Sequence, residues 1–316
     1  MKKIVIMGAG AIGGVLAQHL VFVKNIQIFL YDIAPGRAHG KVLDIGQALS
    51  AAKSSYMAPM IGSEDISQIK DADFIVVTAG MARSAHMTRD DLLQMNLDVF
   101  RDIGPAIRTY APLSTVVVVT NPVDTMTWFL QKITGFPKER VIGMAGSLDE
   151  ARFRYYLAKH LSVNGINFAA IDTRVIGLHN DKMIPLPNYT TVNGQPLCEC
   201  MNEFDIANAV QETRVAGTTI TALYQHQSPY FGPASAIYHM ILPMTQNKKT
   251  RVTISAPYQD DDIYIGQSCI IDQTGLVHVE ILVLTKTEEK ILQQSIDQLR
   301  AFHQTVLPEQ LINCQK

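Results

Sequence analysis

Cysteine, net charge and long apolar runs are all scarce in this sequence of 316 residues. The four cysteines do not suggest a disulfide framework, because Cys198 and Cys200 are separated by one residue and Cys269 and Cys314 are isolated. A chain of this length also does not need such bonds for stability. Without a second cysteine pair or a histidine cluster, no metal site is expected. Reduced thiols in a cytoplasmic protein are the expected state.

The low charge and the short apolar runs exclude further classes of protein. A formal net charge of −2 gives no reason to expect nucleic acid or an anionic membrane as a partner. No apolar run reaches the roughly 18–20 residues that a membrane-spanning helix needs. The first residues resemble an export signal only superficially, since glycines interrupt the apolar run 4–7 at Gly8 and Gly10. We therefore predict a first β-strand there.

The first half of the chain alternates between short β-branched runs and segments of helical period. The runs lie at residues 4–7, 26–31, 74–78, 115–120 and 140–142. Residues 90–110 carry one apolar helical stripe, formed by Leu93, Leu97, Phe100, Ile103 and Ile107. This alternation predicts an α/β fold over residues 1–144, with a doubly wound parallel sheet of the Rossmann type.

The pattern changes over residues 145–316, where we expect a separate α+β unit. Helices are predicted near 148–161, 202–224 and 232–245, and a hairpin is predicted from 263–271 and 276–284. Ser147 with Glu150, and Thr285 with Glu288, have the spacing of a capping box at the start of a helix.

A glycine-rich segment, Gly8-Ala-Gly10-Ala11-Ile12-Gly13, follows the first predicted strand and precedes a helix. In dinucleotide-binding loops the first glycine permits a tight turn, the second admits a pyrophosphate, and the third allows close packing of helix and strand. Asp32 closes the second strand, where an acidic side chain binds the adenosine ribose and repels a 2′-phosphate. We therefore predict NAD as the cofactor and not NADP. A flavin remains an alternative, because the glycines alone do not exclude it.

Two arginines flank a short segment after the third long strand, and a helix follows directly. Arg83 and Arg89 are six residues apart, and guanidinium groups bind carboxylates through two parallel hydrogen bonds. On a loop that closes over a pocket, such a pair would hold a small acidic substrate. Taken alone, the pair is more commonly two solvated surface side chains.

Three further clusters carry side chains suited to chemistry. Asn121 follows the fourth long strand, at the edge of the sheet where ligands bind in open α/β folds. Asp149 and Arg152 share a helix face, whereas Arg154 points elsewhere. His179 is a candidate general acid and base, held by a carboxylate such as Asp149. An Asn-Pro turn, a surface ion pair and a structural histidine are the respective alternatives.

These motifs occur in one order over nearly the whole chain and resemble the NAD-dependent lactate and malate dehydrogenase family. The matching segments are Gly8-Ala-Gly10-Ala-Ile-Gly13, Asp32, Thr78-Ala79-Gly80, Arg83, Met87-Thr-Arg89-Asp-Asp-Leu-Leu93, Thr120-Asn-Pro122, Leu148-Asp-Glu-Ala-Arg-Phe-Arg154, His179 and Gly232-Pro-Ala-Ser-Ala236. Malate-specific members carry arginine at the position of Arg83, where lactate enzymes have a neutral residue. The resemblance therefore points to the malate-specific branch.

The resemblance implies a role for each candidate residue. His179 exchanges the proton of the substrate hydroxyl, and Asp149 orients His179. Arg152 binds the carboxylate beside the reacting carbon, Arg89 polarises the ketone oxygen, and Arg83 binds the distal carboxylate. The implied cofactor contacts are Gly8, Gly10, Ala11, Ile12, Gly13, Asp32, Thr78, Ala79, Gly80, Asn96, Thr120 and Asn121, the last of which also contacts the substrate.

The activity implied by the resemblance is the reversible oxidation of malate by NAD, a step of the tricarboxylic acid cycle, in a homodimer or homotetramer. The same chemistry on lactate or another 2-hydroxy acid is the nearest alternative. A dinucleotide-binding protein without catalysis is the alternative from another class. Two departures from the family stand out. Gly177-Leu-His179-Asn-Asp181 replaces Gly-Gly-His-Gly-Asp, which predicts a different local turn, and Ser84-Ala-His86 replaces a common Lys-Pro-Gly.

Overall fold

A computed structural model describes residues 1–81, 88–161, 167–225, 227–259 and 261–306, with only the main chain at Arg89, Asp90, Thr305 and Val306. In the first half, strands and helices alternate. The strands are β1 (Lys2–Met7), β2 (Ile26–Tyr31), β3 (Met60–Ser63), β4 (Phe74–Val77), β5 (Thr115–Val118) and β6 (Val141–Gly143). The helices are α1 (Ala11–Leu20), α2 (Arg37–Ala51), α3 (Arg89–Tyr110) and α4 (Val123–Thr134).

The second half mixes long helices with short strands. Its strands are β7 (Ile171–Asp172), β8 (Val175–Ile176), β9 (Ile184–Pro185), β10 (Thr191–Val192), β11 (Gln195–Pro196), β12 (Thr250–Pro257), β13 (Tyr264–Asp272) and β14 (Gly275–Val279). Its helices are α5 (Gly146–Leu161), α6 (Leu197–Cys200), α7 (Glu203–Leu223), α8 (Phe231–Thr245) and α9 (Lys286–Val306).

One sheet runs through both halves of the described chain, in the order β14-β13-β12-β6-β5-β4-β1-β2-β3. The strands from β1 to β6 pair in parallel, which confirms the predicted doubly wound sheet. β12 joins its edge antiparallel to β6, through Ser255 opposite Gly143. The second half therefore extends the first sheet by three strands, an addition that the sequence did not predict.

Alternation along β1 explains why both faces of the sheet are covered. Ile4 and Ile6 belong to a hydrophobic cluster on one face of the sheet, together with residues of α1, α2 and α8. Val5 and Met7 belong to a second cluster on the opposite face, with residues of α3 and α4. Successive side chains of a strand point to opposite faces. A strand buried on both faces needs an unbroken apolar run, as in the fully buried Val116-Val-Val118 of β5.

Helix α3 begins directly after the segment 82–87, which lies outside the described residues. Thr88 caps it, since the Asp91 main-chain N–H donates to Thr88 Oγ1 at 3.0 Å and the Thr88 N–H donates to the Asp91 carboxylate at 3.0 Å. All five apolar residues of the predicted stripe are buried against the sheet. The predicted helix is thus confirmed, and its first turn is fixed by the cap.

The C-terminal hairpin is confirmed in part. The turn leads into Gly275, the first residue of β14, which has φ +101°, and Thr285 with Glu288 forms the predicted capping box of α9. The second strand was predicted to reach residue 284, which is wrong, because β14 ends at Val279. Beyond it the main chain is held by a side chain, since the Val283 N–H donates to the Tyr189 hydroxyl at 2.6 Å.

No helix among the described residues is long and apolar enough to cross a membrane.

A buried histidine near the end of α9 should make the stability of the fold sensitive to acid. Burial lowers the pKa of His303 to about 4, and its ring lies 4.5 Å from the ring of Trp128 between centroids. The unfolded chain therefore binds a proton near the ordinary pKa of about 6.5, while the folded chain resists it. As the pH falls from 7 to 4, His303 should lower the free energy of unfolding by roughly 3 kcal/mol.

This prediction is tested by urea denaturation across that pH range. We expect the pH dependence to be smaller in His303→Phe, while the exposed His278→Gln should retain it. Comparison with the parent protein cancels the opposite contributions of buried carboxyl groups whose pKa values are raised. Parallel pH curves for His303→Phe and the parent would contradict the assignment.

Candidate active site

The three glycines after β1 occupy different local environments. Gly8 has φ +113°, and a Cβ on it would lie 2.7 Å from the main-chain nitrogen of Ala79. A Cβ on Gly13 would overlap the carbonyl oxygen of Gly8, so close packing of α1 on the end of β1 demands glycine. At Gly10, no atom lies within 4 Å of the added Cβ, so this residue borders open space at the start of α1. These are the features of a loop that holds a pyrophosphate.

Asp32, directly after β2, binds the main chain of the glycine loop and that of the segment following β2. Its Oδ2 accepts from the Ala9 N–H at 2.8 Å, and its Oδ1 accepts from the Ala34 N–H at 2.9 Å. The side chain is almost buried, and the Arg37 Nη1 lies 3.7 Å from Oδ1. Because an ionised carboxylate has about four acceptor sites, capacity remains for ribose hydroxyls.

The loops after β1, β4 and β5 are tied together by side chains predicted to contact the cofactor. Thr78 Oγ1 donates to the Gly8 carbonyl at 3.0 Å, and Thr120 Oγ1 donates to the Ala79 carbonyl at 2.6 Å. Buried Asn96, on α3, accepts from the Met81 N–H at 2.7 Å. The Asn96 Nδ2 also donates to the Asn121 carbonyl at 2.7 Å. These bonds fix the relative positions of the loops that border one groove.

That groove encloses about 460 Å³, and its lining includes Gly10, Ala11, Ile12, Gly13, Thr78, Gly80, Thr120 and Asn121. A second cavity of about 630 Å³ contains His179 and Arg152. The two share Ile12, Val119, Asn121, Ser228 and Pro229 in their walls. An elongated ligand in the groove would therefore meet a small ligand in the cavity near Asn121.

His179, Asp149 and Arg152 form a connected constellation at this second cavity. His179 Nδ1 lies 2.7 Å from Asp149 Oδ2, and Arg152 Nη1 donates to Asp149 Oδ1 at 3.0 Å. The side chains of His179 and Arg152 are only 14% and 13% exposed. Burial opposes a positive imidazole, but the charge and hydrogen bond of Asp149 outweigh it and raise the pKa of His179. The constellation therefore favours protonation of the imidazole, and among the described residues no hydrogen bond engages its other nitrogen.

Asp124, a residue that the sequence did not single out, anchors the main chain of His179. Its Oδ2 accepts from the His179 N–H at 3.2 Å, and its Oδ1 accepts from Ser255 Oγ at 2.5 Å. Burial raises the pKa of Asp124 to about 6. Because α4 carries Asp124 and β12 carries Ser255, the histidine is fixed to elements of both halves. The only signal in the sequence was an acidic residue in the first turn of a helix.

Comparison with known proteins agrees with this geometry. The profile described as lactate/malate dehydrogenase, NAD binding domain, matches residues 2–143, and the profile of the lactate/malate dehydrogenase alpha/beta C-terminal domain matches residues 146–310. The chain belongs to this family. The malate dehydrogenase of Anaplasma marginale (strain Florida) is 38% identical over 309 residues, covering 94% of this chain and 96% of that protein.

Solved structures of the family have the same fold. The apo malate dehydrogenase of Picrophilus torridus is 31% identical and superimposes with a TM-score of 0.90, covering 100% of this chain and 99% of that chain. The lactate dehydrogenase of Cryptosporidium parvum, in complex with lactic acid and NAD, is 31% identical with a TM-score of 0.88, covering 96% and 97%. Both substrate branches of the family are therefore represented among similar structures.

The predicted capping box of α5 is wrong. The helix already begins at Gly146, so Ser147 lies inside it, and the Ser147 hydroxyl contacts the Met240 sulfur at 3.3 Å. Glu150 is buried and accepts from Thr253 Oγ1 at 2.6 Å, and burial raises its pKa to about 7. The Glu150 side chain, which the spacing predicted to cap α5, instead joins α5 to β12.

Leu178 and Asn180, which stand where the family has glycine, adopt main-chain conformations that do not require glycine. Gly177 has φ +89°, but neither Leu178 nor Asn180 has a positive φ. Leu178 is buried in a cluster with Ile263, Ile265 and residues of α9. The side chain that replaces the family's glycine therefore contributes to packing.

Of the two arginines of the predicted lid, the structure describes only the main chain of Arg89. Arg83 and His86 lie outside the described residues, and Arg89 is described by its main chain alone, as the first residue of α3. Arg154 lies away from the constellation, since its Nε donates to the Ile171 carbonyl at 2.9 Å. The cavity wall adds a second arginine that the sequence did not suggest, Arg214 of α7, which donates to the Met183 carbonyl at 3.1 Å.

Proposed function

We propose that this chain is an NAD-dependent malate dehydrogenase, an oxidoreductase that reversibly converts malate and NAD+ to oxaloacetate and NADH. The observation that carries the proposal is the His179–Asp149–Arg152 constellation, in a cavity that shares a wall with the glycine-loop groove. Family membership and the name of the Anaplasma marginale relative support it.

The groove fits a dinucleotide. Gly10 borders open space at the start of α1, where main-chain N–H groups and the helix dipole favour a pyrophosphate, and Asp32 offers a carboxylate to the adenosine ribose. Thr78, Gly80 and Thr120 would complete the wall, and Asn121 would lie where cofactor and substrate meet. NAD, when bound, supplies the hydride acceptor of the reaction.

His179 is the proposed acceptor of the substrate's hydroxyl proton during malate oxidation. Its Nδ1 is held by Asp149, which leaves Nε2 as the nitrogen for the substrate. The imidazolium formed by proton transfer lies beside the Asp149 carboxylate and is stabilised by its charge. In the reverse reaction Nε2 returns the proton to the ketone oxygen.

Arginines are the proposed ligands of the two carboxylates. Arg152 lines the cavity and is already held at one nitrogen by Asp149, so its orientation is set before a carboxylate binds. Arg89 is assigned to the ketone oxygen and Arg83 to the distal carboxylate, on their positions in the family motif. Similar folds also carry lactate dehydrogenases, so the preference for malate rests chiefly on Arg83.

We further propose that residues 1–144 form the NAD-binding domain and residues 145–316 the substrate domain. The spans of the two family profiles support this division. A homodimer or homotetramer is the proposed assembly, with no nucleic acid or membrane as a partner. The cytoplasm is the proposed location, and the free thiols of Cys198, Cys200 and Cys269 are compatible with it.

The proposal is tested by following NADH absorbance with the purified protein. We expect NADH to be consumed rapidly with oxaloacetate and not in a control without substrate. A separate titration of NADH fluorescence measures binding without turnover. Binding of NADH without consumption in the presence of oxaloacetate or pyruvate would favour a non-catalytic dinucleotide-binding protein and contradict the proposed activity.

A further inference from the structure

Two carboxylates, Asp32 and Glu64, directly follow the neighbouring strands β2 and β3. In the parallel register of β2 and β3, Tyr31 lies opposite Ser63, and the Asp32 N–H donates to the Ser63 carbonyl at 3.4 Å. Asp32 and Glu64 therefore directly follow a pair of opposite residues on neighbouring strands. Such strands lie about 4.8 Å apart in a sheet. Asp32 is assigned to the ribose above, whereas Glu64 has no role in the proposed reaction.

The Glu64 side chain reaches the start of helix α2. Its Oε1 accepts from the Gly36 N–H at 2.6 Å, and Gly36 precedes the first helical residue, Arg37. Glycine has no side chain to cap the helix, and the first turn of α2 contains no acidic residue. Glu64 thus supplies from the neighbouring strand the negative charge that a helix N-terminus favours.

The same place would otherwise suit a phosphate. In dinucleotide-binding folds the residue at the end of the second strand binds the ribose 2′-hydroxyl, and an arginine nearby accommodates a 2′-phosphate when there is one. Here the Arg37 guanidinium lies 3.7 Å from Asp32, and its side chain is 57% exposed. Without Glu64, this arginine and the N-terminus of α2 would together attract the phosphate of NADP, and Asp32 alone would have to oppose both.

We propose that Glu64 is a specificity-determining residue, a second carboxylate that acts with Asp32 to exclude the 2′-phosphate of NADPH. It holds the main-chain N–H at the start of α2 and places a like charge beside the phosphate position. This inference rests on the proposed use of NAD. It adds to that proposal a residue outside the glycine loop and outside the acidic position at the end of β2.

A purely structural cap is the competing role, and Glu64→Gln separates the two. Glutamine keeps an oxygen that can accept from the Gly36 N–H but removes the charge. If Glu64 only caps α2, the variant should bind NADH and NADPH as the parent does. If its charge excludes phosphate, NADPH affinity should rise roughly fivefold, as expected for removing one nearby exposed like charge, with a smaller change for NADH.

The experiment is a fluorescence titration of NADH and NADPH at low and high salt. The proteins compared are the parent, Glu64→Gln, Asp32→Asn and the double variant. Glu203→Gln, an exposed glutamate in the first turn of α7, is the matched control and should leave both affinities unchanged. We expect the ratio of NADH affinity to NADPH affinity to be lower in Glu64→Gln than in the parent. We also expect this ratio to be lower in the double variant than in Asp32→Asn. We also expect the salt dependence of the preference to weaken, since screening acts on the charge removed.

Two results would overturn the proposal, and they are distinguishable. An unchanged ratio of NADPH to NADH affinity in Glu64→Gln, with NADH still bound, would refute the role of Glu64 alone. A parent protein that binds neither nucleotide would refute the proposed use of NAD, and the role of Glu64 with it.

Discussion

Replacing His179 with asparagine should lower turnover of oxaloacetate by roughly 10²–10⁴-fold while leaving NADH affinity nearly unchanged. The imidazole is the group placed to exchange the substrate proton, and asparagine cannot take up or release one near neutral pH. Asparagine retains part of the polarity and volume, so the cavity should keep its shape. Steady-state kinetics and NADH fluorescence on the same preparation separate the two effects.

The chain offers a matched control for this substitution. His160, on α5, also pairs with a carboxylate, since its Nε2 lies 2.7 Å from Glu212 Oε2, but it does not line the cavity. His160→Asn should therefore leave turnover unchanged. Near-normal turnover in His179→Asn would show that another group transfers the proton.

Substitution of Asp149 should shift the pH profile as well as lower turnover. Its charge and hydrogen bond hold the pKa of His179 above its ordinary value, against burial and the positive charge of Arg152. Malate oxidation needs a neutral imidazole, so kcat/KM falls as the pH drops below the pKa of His179. In Asp149→Asn that pKa decreases, and the acid limb should move to lower pH. An acid limb in the same place would mean that a different group controls it.

Replacing Arg83 with glutamine should change substrate choice more than any other substitution. Oxaloacetate has a second carboxylate that pyruvate lacks, and a closed site would leave that charge unpaired without a cation. An unpaired buried charge costs about 3–5 kcal/mol, or roughly 10²–10³-fold or more in specificity. With pyruvate bound, the arginine itself would lack a partner, so it also rejects the monoacid. We expect kcat/KM to fall sharply for oxaloacetate and to rise modestly for pyruvate.

Arg89→Gln is the comparison for this prediction. It should depress turnover on both ketoacids, because the ketone oxygen is common to them. Steady-state kinetics of both variants on both substrates provide the test. An unchanged ratio of oxaloacetate to pyruvate kcat/KM in Arg83→Gln would mean that the distal carboxylate is recognised elsewhere, and Arg214 would become the next candidate.

The periodicity of apolar residues correctly predicted helices and strands whose own sequence shows which side chains are buried. The stripe of α3 and the valine run of β5 each present an apolar pattern that only one structure buries well. The glycine loop was also predictable, because Gly8 and Gly13 meet main-chain atoms that exclude a side chain. In these places a few neighbouring residues decide the conformation.

Features that depend on distant partners could not be predicted in this way. Glu150 lies three residues after Ser147, the spacing of a capping box, yet its buried side chain accepts a hydrogen bond from Thr253 on β12. Asp124 supports His179 across the boundary between the two halves. Beyond the early end of β14, the Val283 N–H donates to the hydroxyl of Tyr189, which is remote in sequence. Each of these contacts joins residues separated by long stretches of chain, so no local pattern predicts it.

The most direct test of the proposed activity is the ratio of kcat/KM for oxaloacetate to kcat/KM for pyruvate, measured with the unaltered protein and saturating NADH. We predict that oxaloacetate is preferred by roughly 10²–10³-fold or more, since one substrate carries the charge that Arg83 is proposed to pair. A ratio near one, or a preference for pyruvate, would contradict the assignment to malate.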